Sequence, residues 1–98
     1  MRFLLLLVLL AAAGGTPAQP RPERLYAEHC AACHGADRLG GIGPALLPEN
    51  LARLKRPESV QVILQGRPAT QMPGFSDKLG AEEASALADY FYAPLPAR

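Results

Sequence analysis

Two cysteines stand three positions apart, and a histidine follows the second directly: Cys30-Ala31-Ala32-Cys33-His34. On a helix, residues three apart share a face, so both thiols point the same way. Each can add across one vinyl group of a porphyrin and form a thioether. His34 is then placed to offer an imidazole nitrogen to the iron from one side. C-x-x-C-H is the attachment pattern of haem c, one haem held covalently through Cys30 and Cys33. Other uses of these residues fit less well. A redox dithiol of the thioredoxin kind needs a preceding strand and a βαβ frame, and strand patterning is almost missing. A zinc centre needs about four ligands; the chain has two Cys and two His, and His29 abuts Cys30. A disulfide across so short a span closes a tiny loop and stabilises little.

The second chemical feature is Gln71-Met72-Pro73-Gly74-Phe75. Of the two methionines, the other is Met1. A thioether is a soft ligand suited to iron(II), and His/Met ligation raises a haem's potential. Pro73 stiffens the segment that would present the sulfur. Methionine is more often core filler, but beside C-x-x-C-H the expectation is that Met72 is the second axial ligand. The metal set is then His34 and Met72. Lys55, Lys78 and His29 are less suited, and His29 reads as a solvent-facing side chain.

These groups need helices to position them. The chain opens with Met1-Arg2, an apolar run over Phe3–Ala13 and the small residues Gly14-Gly15-Thr16-Pro17-Ala18. That order is the one of a secretory signal peptide, and an apolar run of about 11 residues falls short of the roughly 20 that span a bilayer. Cleavage is expected after Ala18, with Ala13 as the alternative, so residues 1–18 are a leader and 19–98 one domain. So small a domain is hard to stabilise with side chains alone; a tethered porphyrin supplies the missing apolar core. The ten Lys and Arg include Arg2, and nine Asp and Glu oppose them. The domain without its leader is thus formally neutral, unlike the basic footprint of a nucleic-acid binder.

A first helix is expected from about Pro22, which suits a first turn, to Ala32. Tyr26, four before Cys30, lies on the same face and can pack against another helix. Gly35 to Gly43 reads as loop. Helix-like pieces follow near Pro48–Leu54 and Glu58–Gln65, the second closed by Gly66 where a C-cap glycine belongs. The last helix is expected over Ala81–Tyr92, with Glu82 and Glu83 in its first turn and Ala84, Leu87, Tyr90 and Phe91 as its apolar stripe. Pro94 and Pro96 stop it. Its partner is expected to be the first helix, near Tyr26.

Taken together, Tyr26, Cys30, Cys33, His34, Gly43-Pro44-Ala45-Leu46, Met72-Pro73, Leu87 and Tyr90 resemble the pattern of the class I c-type cytochromes. The resemblance implies an all-α fold of three to five short helices around one haem. It implies that the Pro44 carbonyl accepts the ring N–H of His34, and that Leu46 packs on the porphyrin. One departure is Pro22, where the family usually has glycine, which bears on how closely the first and last helices cross. Arg38–Leu46 and Gly66–Pro73 are also similar to the small periplasmic cytochromes encoded with dissimilatory nitrite reductase, and to the haem c domain of cytochrome cd-type nitrite reductase. This implies a periplasmic one-electron carrier of denitrification, not an enzyme, with redox protein partners such as nitrite reductase, and with no nucleic acid and no stable membrane insertion after leader cleavage. The alternative is an accessory redox or docking role in haem d maturation or reductase assembly. Arg67 either turns inward to a propionate or stays on the surface.

Overall fold

The computed structural model describes residues 20–96. The expected leader, its cleavage site and Gln19 lie outside the described residues. Four α-helices and one 3-10 turn follow in order: α1 over Pro22–His29, α2 over Ala31–His34, the 3-10 turn over Pro48–Leu51, α3 over Arg56–Gln65 and α4 over Ala81–Tyr92. The all-α expectation holds, and among the described residues there is no strand.

The first helix is shorter than its sequence predicts. It starts with Pro22 in the first turn, where the missing N–H costs nothing. It stops at His29, and Cys30 is a one-residue distortion at φ −119°, still in the right-handed helical region with its N–H donating to the Tyr26 carbonyl at 2.9 Å, before the single turn of α2. The reason is tertiary. The Tyr26 hydroxyl donates to the Gly35 carbonyl at 2.5 Å. Nine residues of unbroken helix would separate the two by about 13 Å along the axis, beyond a tyrosine's reach. The distortion at Cys30 and the φ of 89° at Gly35 are the departures from a straight helix that lie between the two groups.

α4 forms where its sequence places it. Its N-cap is Gly80, whose N–H donates to Glu83 Oε1 at 3.0 Å. Ala84, Leu87, Ala88 and Phe91 are buried, while Tyr90 stays half-buried. Tyr26 meets this face, its ring 5.7 Å from that of Tyr90 and 5.8 Å from that of Phe91. These tilted and edge-to-face pairings are the favourable ones. An open groove separates the first turns of α1 and α4, between Arg21, Arg24 and Leu25 on one side and Gly80 to Glu83 on the other. The two helices meet through Tyr26, mid-way along α1, and Tyr90 and Phe91 near the end of α4.

α3 begins at Arg56, two residues ahead of its expected start, because Lys55 N–H donates to Glu58 Oε1 at 3.1 Å and Pro57 suits the first turn. It is fastened to α4 by Arg56, which donates to Asp89 Oδ1 at 2.5 Å and to the Ser85 hydroxyl at 2.6 Å. That carboxylate raises the Arg56 pKa still further. The piece expected over Pro48–Leu54 closes after one turn at Leu51, and the Leu54 carbonyl instead accepts from the Tyr92 hydroxyl at 2.5 Å.

Candidate haem site

The second half of the loop after α2 folds back over His34. Gly43 N–H donates to the Cys33 carbonyl at 2.7 Å, and Gly40 N–H to the His34 carbonyl at 2.8 Å. A Cβ on Gly43 would lie 2.8 Å from His34 Cε1 and 3.0 Å from Nδ1. Only glycine lets the backbone lie against the imidazole face this closely. The next residue, Pro44, brings its carbonyl oxygen to 2.6 Å from His34 Nδ1. A carbonyl can only accept, so Nδ1 carries the proton and donates, and Nε2 keeps a free lone pair. Such a bond fixes the ring and raises its basicity as a ligand.

That imidazole borders a cavity of about 660 Å³, within the roughly 300–1,000 Å³ range of cofactor pockets. Cys30, Cys33, His34, Pro44, Leu46 and Met72 all line it. The six site residues expected from the sequence, 42 positions apart at the extremes, are thus brought to one place. Its walls are mainly apolar, with Leu51, Leu54, Val62, Ile63, Phe75 and Phe91 contributed by every remaining part of the fold. The donor set fits haem c: two thiols for two vinyl groups, one imidazole with Nε2 unused, and one thioether, around an apolar space. In this family of chemistry His34 and Met72 would hold the iron, and Cys30 and Cys33 the porphyrin.

The two thiols differ. Cys30 is buried at the helix break and Cys33 is exposed. Burial first, and the neighbouring Cys33 second, push the Cys30 thiol up to about 11.

Met72 is half-buried and lies in the return from α3. Gly66 ends that helix at φ 75°, as the sequence indicates. From there Phe75 N–H donates to the Ile63 carbonyl at 3.0 Å and Ser76 N–H to that of Leu64 at 3.1 Å. These bonds lay the Met72 segment along the end of α3.

The sequence reading misplaces one residue and overlooks two. His29 is not solvent-facing: it is half-buried, lines the cavity and meets Phe75 with ring centroids 5.7 Å apart. His29 stands three positions after the buried Tyr26 within α1, so helical spacing itself places it on the inner face. Arg53 lines the cavity together with Arg67, and both are exposed; Arg53 sits between the cavity residues Leu51 and Leu54, which is the signal that could have found it. Arg38 is the third surprise. It is 1% exposed, has φ 66° and sends its guanidinium to the carbonyls of Tyr90 and, at 2.9 Å, Ala93. Its Cζ lies 4.7 Å from the Tyr90 ring centroid, a cation–π arrangement. Its Nε has no hydrogen-bond partner among the described residues.

Comparison with known proteins gives a consistent picture. The family described as cytochrome C oxidase, cbb3-type, subunit III matches residues 17–91. The chain is 55% identical over 92 residues to dihydro-heme d1 dehydrogenase from Pseudomonas aeruginosa, covering 94% of this chain and 18% of the dehydrogenase. It therefore spans less than a fifth of that relative. It is 38% identical over 87 residues to cytochrome c55X from Stutzerimonas stutzeri, covering 89% of this chain and 77% of the relative. Among solved structures, c-type cytochrome NirC superposes with a TM-score of 0.68 at 39% identity, over 72% of this chain and 84% of that one. Dihydro-heme d1 dehydrogenase NirN in complex with DHE gives 0.76 at 56% identity, over 79% of this chain and 17% of that one.

Proposed function

Since the chain belongs to the c-type cytochrome family matched over residues 17–91, and has the class I cytochrome c fold of its structural neighbours, we propose that it is a periplasmic one-electron carrier with a single covalent haem c. The observation that carries this reading is the pairing of His34 Nδ1 with the Pro44 carbonyl, which leaves Nε2 for a metal at a cavity shared with both thiols and Met72.

Haem c, once held, supplies one Fe(III)/Fe(II) couple. The chain's own residues do the rest. Cys30 and Cys33 would hold the porphyrin, each thiol adding across one vinyl group with the S–H hydrogen going to one vinyl carbon and the sulfur to the other. His34 through Nε2 and Met72 through its sulfur would be the residues that hold the iron. An iron held by two protein side chains would leave no place for substrate, so the proposed activity is electron transfer rather than catalysis. Leu46, Ile63 and Phe91 exclude water from the centre. Arg53 and Arg67, exposed at the cavity, offer cations to the propionates. Electrons leave through the mouth, where Ile42 is 78% exposed beside Pro44.

Residues 1–18 are proposed as the export leader, and residues 19–98 as the cytochrome domain. No described helix is long and apolar enough to cross a membrane. The proposed partners are an electron donor and an acceptor protein, with nitrite reductase as the acceptor, in denitrification. A second reading is favoured by one observation: identity to the dehydrogenase, 55%, exceeds the 38% to cytochrome c55X. Here the protein serves haem d maturation, accepting one electron at a time from the two-electron oxidation of dihydro-haem d1.

Two experiments test the proposal. In Cys30→Ala/Cys33→Ala, no haem should survive acid–acetone extraction; covalent haem in that variant would overturn the assignment. Ferric wild type should show the weak far-red charge-transfer band of sulfur-ligated haem, and Met72→Ala should lose it and fall in potential. Turnover of nitrite reductase driven by the reduced protein, against reduction of the ferric protein by a dihydro-haem d1 dehydrogenase, separates the two partner readings.

A further inference from the structure

We propose that Thr70 is a positioning residue that holds Met72 on the iron, an inference that rests on the reading of Met72 as an axial ligand. The Thr70 hydroxyl makes two bonds at once. It donates to the Arg67 carbonyl at 2.7 Å and accepts from Met72 N–H at 3.2 Å. Arg67 N–H in turn donates to the Met72 carbonyl at 3.2 Å. Both backbone polar groups of Met72 are thus satisfied inside one short loop, and one hydroxyl joins its two ends.

The rest of that loop has no slack. A Cβ on Gly66 would lie 2.6 Å from the Pro73 carbonyl carbon and 2.7 Å from the Met72 oxygen. A Cβ on Gly74 would lie 2.6 Å from the Leu64 oxygen. The chain on either side of Met72 is pressed directly against the end of α3, backbone on backbone. Beyond that floor, the N–H of Met72 is held by Thr70 alone among the described residues. Thr70 is itself exposed, so its hydroxyl contributes to the placement of Met72 far more than to the stability of the fold.

Removing the hydroxyl while keeping the shape isolates this role. In ferric, haem-loaded Thr70→Val, imidazole should displace Met72 up to about tenfold faster than in wild type, the equivalent of one net hydrogen bond. Displacement is read from loss of the far-red band. The pH at which the band disappears should fall as well. Thr70→Ser should restore both, Thr70→Ala should behave like Thr70→Val, and the denaturant midpoint of all three should stay at the wild-type value. Met72→Ala serves as the reference. A wild-type protein without the band, or a Met72→Ala protein that keeps it, overturns the ligand assignment and this inference with it. A Thr70→Val protein that exchanges at the wild-type rate, beside a Met72→Ala protein that has lost the band, overturns the role of Thr70 alone. A lowered midpoint in step with faster exchange would likewise overturn it, since a general loosening of the fold would account for both.

Discussion

The two sides of the cavity are held in different ways. On the His34 side, the loop after α2 has short bonds of its own and is also anchored on the far end of the chain by Arg38. Arg38 reaches the carbonyls of Tyr90 and Ala93, 52 and 55 positions on, and Tyr26 reaches Gly35 from the first helix. On the Met72 side, the bonds come from the segment itself and from the helix just before it, through Arg67, Thr70, Ile63 and Leu64. A ligand braced by the whole core cannot leave without disturbing that core. A ligand braced by its own loop can leave while the fold stays intact.

The largest expected effect tests the remote bracing. Arg38→Met strips a cation from two carbonyls at the end of α4, where a positive charge is favoured. Two charge-assisted bonds of this kind, partly buried, are together worth about 3 kcal/mol. Denaturant unfolding of the haem-loaded variant should fall by about that much, while its folded fraction keeps the far-red band. Stability at the wild-type level would break the comparison, because the loop would then need no anchor on α4.

Tyr26→Phe comes next, at about 1 kcal/mol for one buried neutral hydrogen bond. It also carries a pH signature. Burial first, then the nearby Cys30, raise the Tyr26 pKa from 10.0 to about 12. The fold favours the neutral phenol, so this contribution is fully present below pH 10 and is lost as pH rises toward 12. Unfolding curves across that window should show an alkaline decline in wild type that is shallower in Tyr26→Phe. Equal declines in the two would remove Tyr26 from the bracing.

His29→Ala probes a contact that ties the two sides together, the edge-to-face pair with Phe75. Its loss should cost about 0.5–1 kcal/mol and should speed displacement of Met72 by imidazole. An unchanged displacement rate would confine that pair to packing.

The smallest effect concerns encounter with the partner. Leu39 and Ile42, on the His34 loop, are 58% and 78% exposed, and the chain's charges are nearly balanced. Encounter through such a surface involves little long-range steering. Stopped-flow transfer rates should change by less than about tenfold between low and physiological salt. A steeper fall would locate control in a charged surface, with Arg53 and Arg67 as the first to test.

The Met72 side was nearly all legible in the sequence for the same reason that it is locally built. Gly66 as C-cap, the prolines around Met72 and the bounds of α4 follow from local propensity. Cys30, Cys33 and His34 were legible because their chemistry imposes a fixed spacing. The end of α1 at His29 was not, because nothing in the local propensity of the residues before Cys30 marks a stop there. Arg38 was hidden for a similar reason. An arginine amid glycines reads as a solvated loop residue, and nothing within ten positions tells of two carbonyls at the far end of α4. His29 was legible in principle, since it lies three positions after Tyr26 on one helix face.

The span of the Arg38 contacts also orders the events of folding. Closing a loop of some fifty residues carries more entropy than closing one of five, and contacts at long sequence separation form slowly. The Thr70 loop can assemble as soon as α3 ends, from neighbours within a few residues. Arg38 has nothing to hold until α4 has formed and docked on α1. The segment that carries His34 is therefore the earliest of the site in the chain, yet its anchor on α4 comes late, after its own short-range bonds to Cys30, Cys33 and His34 can form.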